Sequence, residues 1–230
     1  MRIAVALAAL AVLLAGCGDD TPDYKSIWTT PTTTTSSADP SAAPKPVPLS
    51  AYLESVGVTG DPVAPEKITD LTVDLPRPAG WQAYSNVNLS PGTRVIAKGD
   101  TYPTAMLMVF KLTGNFDIAE ALKHADADAQ LSQNFTKLNG STENFRGFPS
   151  SMIEGTYDLN GRRMQSYNRI IIATGGSGSA GATGTPPKTP PGAPGQRYLI
   201  QLTITSYAEE AQKQGKDIEG IISGFKVAAK

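Results

Sequence analysis

The chain contains one cysteine, Cys17, and its surroundings constrain everything that follows. Cys17 closes a short apolar run, Ala8-Ala9-Leu10-Ala11-Val12-Leu13-Leu14-Ala15-Gly16-Cys17. Leu14-Ala15-Gly16-Cys17 has the lipobox pattern of a leucine, two small residues and a cysteine. Small residues suit a signal peptidase that draws extended backbone into its site, and a thiol carries the diacylglyceryl group through a thioether. The apolar stretch from Ile3 to Ala15 is shorter than the about 20 residues a membrane-spanning helix needs. With Arg2 as a charged start it reads as a signal peptide over residues 1–16. The expected product begins at Cys17, is acylated (palmitate plus diacylglyceryl), and is held outside the cytoplasm at the cell membrane. A fraction surface-exposed or shed is compatible with such an anchor. Each buried methylene contributes about 0.8 kcal/mol, so two acyl chains suffice for stable anchoring.

With Cys17 consumed by the anchor, the folded part has no disulfide and depends on its apolar core. The chain has 20 basic and 21 acidic residues. Removing residues 1–16 takes away Arg2, leaving 19 against 21, a formal −2. That balance provides no basic surplus for nucleic acid. Residues 17–47 read as a disordered tether, because Thr29 to Ser41 is almost entirely threonine, serine, proline, alanine and aspartate and cannot bury enough surface to offset ordering entropy. About 30 such residues reach roughly 30 Å on average. The same composition could accept O-glycans.

Residues 48–230 read as one domain with a sizeable core. Leu49, Tyr52, Leu53 and Val56 form one helical stripe, with Ser50 as a cap and Gly57 as a stop. Leu71 to Leu75 alternates as a half-buried strand, Trp81 follows a turn as a packing anchor, and Thr93 to Ala97 is a second strand. Thr104 to Phe110 is apolar on both faces and fits a covered central strand. Asp117 opens a helix whose inner face holds Ile118, Leu122, Ala125 and Ala129. Glu143 to Phe145 reads as a short strand. Ser151 to Tyr157 and Arg163 to Ala173 form a hairpin around Asn160-Gly161, a pair suited to a type I′ turn. Residues 175–196 form a flexible Gly/Pro-rich loop. Arg197 to Thr205 alternates with Tyr198, Ile200, Leu202 and Ile204 inward, and the chain ends in a helix near Asp217 to Ser223. Strands joined by hairpins between helical ends make an α+β fold: a central, mainly antiparallel sheet flanked by helices.

Catalytic chemistry finds little support. The lone histidine, His124, falls on a helix surface, and no Gly-x-Ser-x-Gly elbow occurs. One histidine without a free thiol does not suit zinc. No Gly-Lys-Ser/Thr follows the 175–179 glycine run, so it is no phosphate loop. The acid pairs Asp117/Glu120, Asp126/Asp128 and Glu209/Glu210 sit at helix starts or on polar faces, where solvation explains them. No catalytic residue, metal site or cofactor is assigned. Met106, Met108 and Phe110 share one face of the central strand, and methionine adapts to irregular apolar ligands. Together with Trp81, Met152 and Tyr198 they are the candidate apolar ligand pocket, against the reading of ordinary core.

Several stretches resemble the LpqN-type mycobacterial lipoproteins. They are Pro48-Leu49 with Tyr52 to Gly60, Tyr102 to Leu112, Phe116 to His124, Gly147 to Ile153 and Tyr198 to Ser206. The likeness covers about 48 to 230; the tether diverges, and the 175–196 insert is longer than usual for that family. The resemblance implies a PsbP-like fold and a non-enzymatic envelope protein. It also implies partners among mycolate or trehalose lipids and MmpL-type transporters, or a role in host interaction. The expectation is therefore a tethered domain that binds lipid, glycolipid or a transporter's extracytoplasmic domain during envelope assembly. The alternative is a protein-binding module in adhesion or host contact.

Overall fold

The computed structural model describes residues 45–176 and 195–230. The leader over 1–16, Cys17, the tether up to 44 and residues 177–194 of the insert lie outside them. The described chain begins with helix α1 (Leu49–Ser55) and strand β1 (Thr59–Pro62), then a 3-10 turn at Pro65–Lys67. Strands β2 (Leu71–Asp74), β3 (Gln82–Tyr84), β4 (Arg94–Ala97) and β5 (Thr104–Thr113) follow. Two short helices, α2 (Ile118–Leu122) and α3 (Ala127–Gln130), lead to β6 (Thr136–Ser141), β7 (Ser150–Leu159), β8 (Arg162–Thr174) and β9 (Arg197–Tyr207). Helix α4 (Ala211–Gly224) and strand β10 (Lys226–Ala229) complete it.

β5 organises the molecule. Its first seven residues are all buried, because layers cover both faces of the sheet. Ala105, Leu107 and Val109 point into one apolar cluster; Met106, Met108 and Phe110 alternate into another. The main sheet runs β3-β4-β5-β9-β8-β7-β6, with every pairing antiparallel. β1 and β4 share one edge of β5: β4 pairs with Arg94 opposite Leu107, and β1 pairs with Pro62 opposite Phe110.

On one face Leu49 and Leu53 of α1 and Ala121 of α2 meet Met106, Met108, Phe110, Ile170, Ile172 and Leu199. His124 fastens this layer: its ring stacks on Tyr52 at 4.4 Å and its Nδ1 lies 3.1 Å from the Val47 carbonyl oxygen. On the other face α4 and a two-stranded ribbon, β2 with β10, cover Leu107, Val109, Ile171, Ile200 and Leu202. The fold is thus α+β, a mainly antiparallel sheet between helical layers.

Local expectations are met where the side-chain pattern decides structure. The β7–β8 hairpin turns at Asn160 (φ 49°) and Gly161 (φ 75°), and Gly57 (φ 76°) follows α1. Asp117 caps α2, its Oδ1 accepting from the Glu120 amide at 2.9 Å. Five details differ. The helix that Asp117 opens breaks after Leu122 and resumes as α3, so Ala121, Ala125 and Ala127 are buried while Ile118, Leu122 and Ala129 are only partly covered. Ser50 does not cap α1, which starts after Pro48 without a side-chain cap. Glu143 to Phe145 is not a strand: Phe145 and Phe148 form a single bridge, while the edge strand is Thr136–Ser141, largely exposed and so without an apolar signature. β9 buries Leu199 and Gln201 as well as the alternate set, because layers cover both of its faces. The chain ends in β10 rather than a helix, Val227 pairing with Val73.

Candidate functional site

A cleft of about 700 Å³ opens between the ribbon and the β3–β4–β5 end of the main sheet. Leu71, Val73 and Leu75 form one wall; Ala83, Ile96 and Leu107 form the floor and opposite wall. Leu107 is 1% exposed and Leu71 fully buried, so the depth of the cleft is apolar core surface. Arg77, Arg94, Lys226 and Lys230 stand exposed around it, with carboxylates at Glu66 and Asp74. Glu66 and Arg94 form an ion pair across one end. Lys230 reaches back to donate to the Ile68 carbonyl at 2.8 Å.

Backbone proximity sets this geometry. Gly92 has φ +85°, and a Cβ there would lie 2.7 Å from the Ala64 nitrogen. Only glycine lets the turn before β4 press against residues 63–64, which brings Glu66 beside Arg94. At the opposite end the ribbon is fixed through Asp70. The Tyr198 hydroxyl donates to Asp70 Oδ1 at 2.8 Å, and the Asp70 carbonyl accepts from Gly176 and Lys230. Burial, with the Asp70 hydrogen bond and charge beside it, pushes the Tyr198 phenol up to about 12. The insert leaves and re-enters next to this point, Gly175 donating to the Gln196 carbonyl at 2.8 Å.

The six residues grouped from the sequence do not line one pocket. Trp81, Met152 and Tyr198 belong to the cluster under the ribbon and α4; Met106, Met108 and Phe110 belong to the cluster under α1 and α2. The sheet separates the two sets, because consecutive β5 side chains alternate faces. All six are under 9% exposed and none borders the cleft, so each packs as core. Cys17 lies outside the described residues. The cleft residues escaped sequence reading because each looks ordinary alone; the available signal was the pair Lys226 and Lys230 on either side of Val227-Ala228-Ala229.

The acid pairs are in structural use. Asp117 caps α2, Glu120 pairs with Lys123 at 2.6 Å, Asp126 accepts from Ser151 at 2.8 Å and Glu209 pairs with Arg162 at 2.8 Å. Asp217 accepts from Lys98 Nζ at 2.7 Å and Trp81 Nε1 at 3.1 Å, and these two bonds hold its carboxyl below the usual range. Among the described residues no three or more His, Cys, Asp or Glu side chains are placed to hold a metal ion. None of the described helices is long and apolar enough to cross a membrane.

The family described as "Probable lipoprotein LpqN" matches residues 45–228. A Mycobacterium tuberculosis (strain H37Rv) lipoprotein named LpqT is 56% identical over 230 residues, covering 100% of this chain and 94% of that protein. Its Mycobacterium leprae counterpart is 48% identical over 231 residues, covering 100% and 97%. The crystal structure of Mycobacterium tuberculosis LpqN, a protein involved in cell envelope biogenesis, superposes with a TM-score of 0.62 at 18% identity. That match covers 81% of this chain and 99% of LpqN and extends the likeness to the fold. The chain belongs to the LpqN family of lipoproteins.

Proposed function

We propose that this protein is a non-catalytic envelope lipoprotein, anchored outside the cytoplasm through Cys17, whose cleft receives the acyl part of a lipid or glycolipid. One observation carries the reading: buried apolar side chains, Leu71, Ile96 and Leu107, line the depth of a cleft of about 700 Å³, while Arg77, Arg94, Lys226 and Lys230 stand around it. An acyl chain gains about 25 cal/mol per Å² of apolar surface removed from water, and the polar rim accommodates a headgroup. The envelope role described for LpqN agrees with such a ligand.

The test is saturable binding of a fluorescent fatty-acyl probe to the full chain, together with native mass spectrometry of the protein purified from its own host. Ala83 is exposed at the cleft wall, so Ala83→Arg obstructs the space without disturbing the core. Binding at least tenfold weaker in Ala83→Arg supports the proposal. Absence of saturable binding, or equal binding by the variant, refutes it.

A further inference from the structure

Asn139 and Gly140 lie on β6, the last strand of the main sheet. Residues 136–140 are all exposed, and among the described residues β6 pairs with β7 alone. A bulge between Lys137 and Asn139 interrupts that pairing and leaves Leu138, 55% exposed, as the extra residue. In this loosened stretch the Gly140 amide donates to Asn139 Oδ1 at 2.8 Å. The asparagine side chain is thus folded back on the peptide that follows it, and the Gly140 nitrogen stands beside the Cγ that carries that oxygen. Glycine has no Cβ to hinder the approach. The space beside Gly140 holds the end of Lys137 instead: a Cβ built there would lie 2.7 Å from Lys137 Cε and 2.7 Å from its Nζ. One short segment therefore brings together a side-chain amide, a neighbouring main-chain nitrogen and an ammonium group, all in reach of water.

We infer that Asn139–Gly140 is a site of covalent self-modification, where asparagine converts to isoaspartate and aspartate through a succinimide with water as the reagent. The Gly140 amide gives its proton to hydroxide, and its nitrogen bonds to Asn139 Cγ. The Cγ–Nδ2 bond breaks, and ammonia leaves with a proton taken from water, which restores the hydroxide. Water then opens the imide. Attack at Cγ gives aspartate; attack at the main-chain carbonyl carbon gives isoaspartate, whose backbone runs through Cβ. The folded-back side chain supplies proximity, and Lys137 favours the anionic nitrogen by Coulomb attraction. The second Asn-Gly pair, Asn160-Gly161, is held differently. It forms the two-residue turn between β7 and β8 with both residues at positive φ, and Leu159 pairs with Arg162 directly behind it. Ring closure there must rotate a peptide that two long paired strands hold in place. At β6 the product acts on the sheet. A carboxylate at 139 stands opposite Glu154, its cross-strand partner, and isoaspartate lengthens the backbone by one atom and disturbs the register. Both changes loosen β6 from β7.

The test uses the full-length chain in lipid nanodiscs, incubated at mildly alkaline pH and sampled over days. Each sample is digested in acid to prevent further conversion. Peptide mass spectrometry then follows the Asn139 and Asn160 peptides side by side, and an isoaspartyl methyltransferase labels the isoaspartate form. In the folded chain Asn139 is expected to convert at least tenfold faster than Asn160. In urea, where neither peptide is held, the two rates are expected to agree within twofold. Lys137→Met changes an exposed side chain and is expected to slow Asn139 at least threefold while the Asn160 rate stays the same. Hydrogen exchange of β7 amides is expected to quicken in the converted protein. Equal rates at the two asparagines in the folded chain overturn the inference. A tenfold difference that persists in urea overturns it too, since the fold would then not be the cause. An unchanged Asn139 rate in Lys137→Met likewise overturns it.

Discussion

The Tyr198 hydroxyl on β9 donates to the Asp70 carboxylate at 2.8 Å, across 128 positions of sequence. This bond ties a central strand to the residue immediately before β2 and so holds the ribbon wall of the cleft in place. Tyr198→Phe leaves the Asp70 oxygen without this donor and is expected to cost about 1 kcal/mol at neutral pH. The pH dependence has a definite sign. The folded phenol titrates near 12, above its ordinary value of 10.0, so folding favours the protonated form. That contribution is complete below pH 10 and is lost as pH rises toward 12. Thermal melts from pH 8 to 12 are expected to fall more steeply for the native protein than for Tyr198→Phe; identical slopes would show that the bond does not matter.

Asp217 gives the opposite dependence. Its carboxyl is held low, first by Lys98 and then by the Trp81 indole, so the ionised form is favoured in the fold. This stability is present above the ordinary carboxylate range and is lost as pH falls through the folded value, below 3.8. Asp217→Asn retains an acceptor for Trp81 but loses the charge. The expected cost at pH 7 is about 0.2–1 kcal/mol, because Lys98 is half exposed. Below pH 4 the gap between variant and native protein should narrow, measured by unfolding followed on Trp81 fluorescence.

Helix α4 carries two glycines that nothing crowds. A Cβ at Gly215 or Gly220 would meet no atom within 4 Å. Neither has the positive φ that would reserve the position for glycine. Gly215→Ala and Gly220→Ala are each expected to stabilise the domain by about 0.5–1 kcal/mol through lower unfolded-state entropy, read as a raised midpoint in urea.

Met108 is 3% exposed and packs beneath α1 and α2, on the sheet face away from the cleft. Met108→Trp overfills this layer and is expected to cost about 1–3 kcal/mol. At temperatures where the variant remains folded, its affinity for an acyl probe should equal that of the native protein. A selective loss of affinity without loss of stability would revive the idea of a pocket on the methionine face.

Much of the fold could be read locally. The double-sided apolar run of β5, the Asn160-Gly161 hairpin and the amphipathic stripe of α1 each state their structure within about ten residues, because periodicity and turn chemistry act at that range. Thr136–Ser141 and Lys226–Ala229 were silent, since an exposed edge strand and a four-residue ribbon strand depend on partners distant in sequence. The candidate pocket failed for a related reason. Adjacent β5 residues are neighbours in the chain, but Leu107 and Met108 lie on opposite sides of an eight-stranded sheet.

Sequence by itself determined the α+β class and, with Cys17 the single cysteine, the absence of disulfides from the domain, since each follows from residue type and short-range pattern. Tertiary structure alone decided where a ligand can sit. The cleft exists because strand 71–74 pairs with the distant strand 226–229, and the ribbon so formed stands beside Ile96 and Leu107. Such a juxtaposition arises from long-range pairing and the close approach at Gly92, neither of which leaves a periodic trace in the chain.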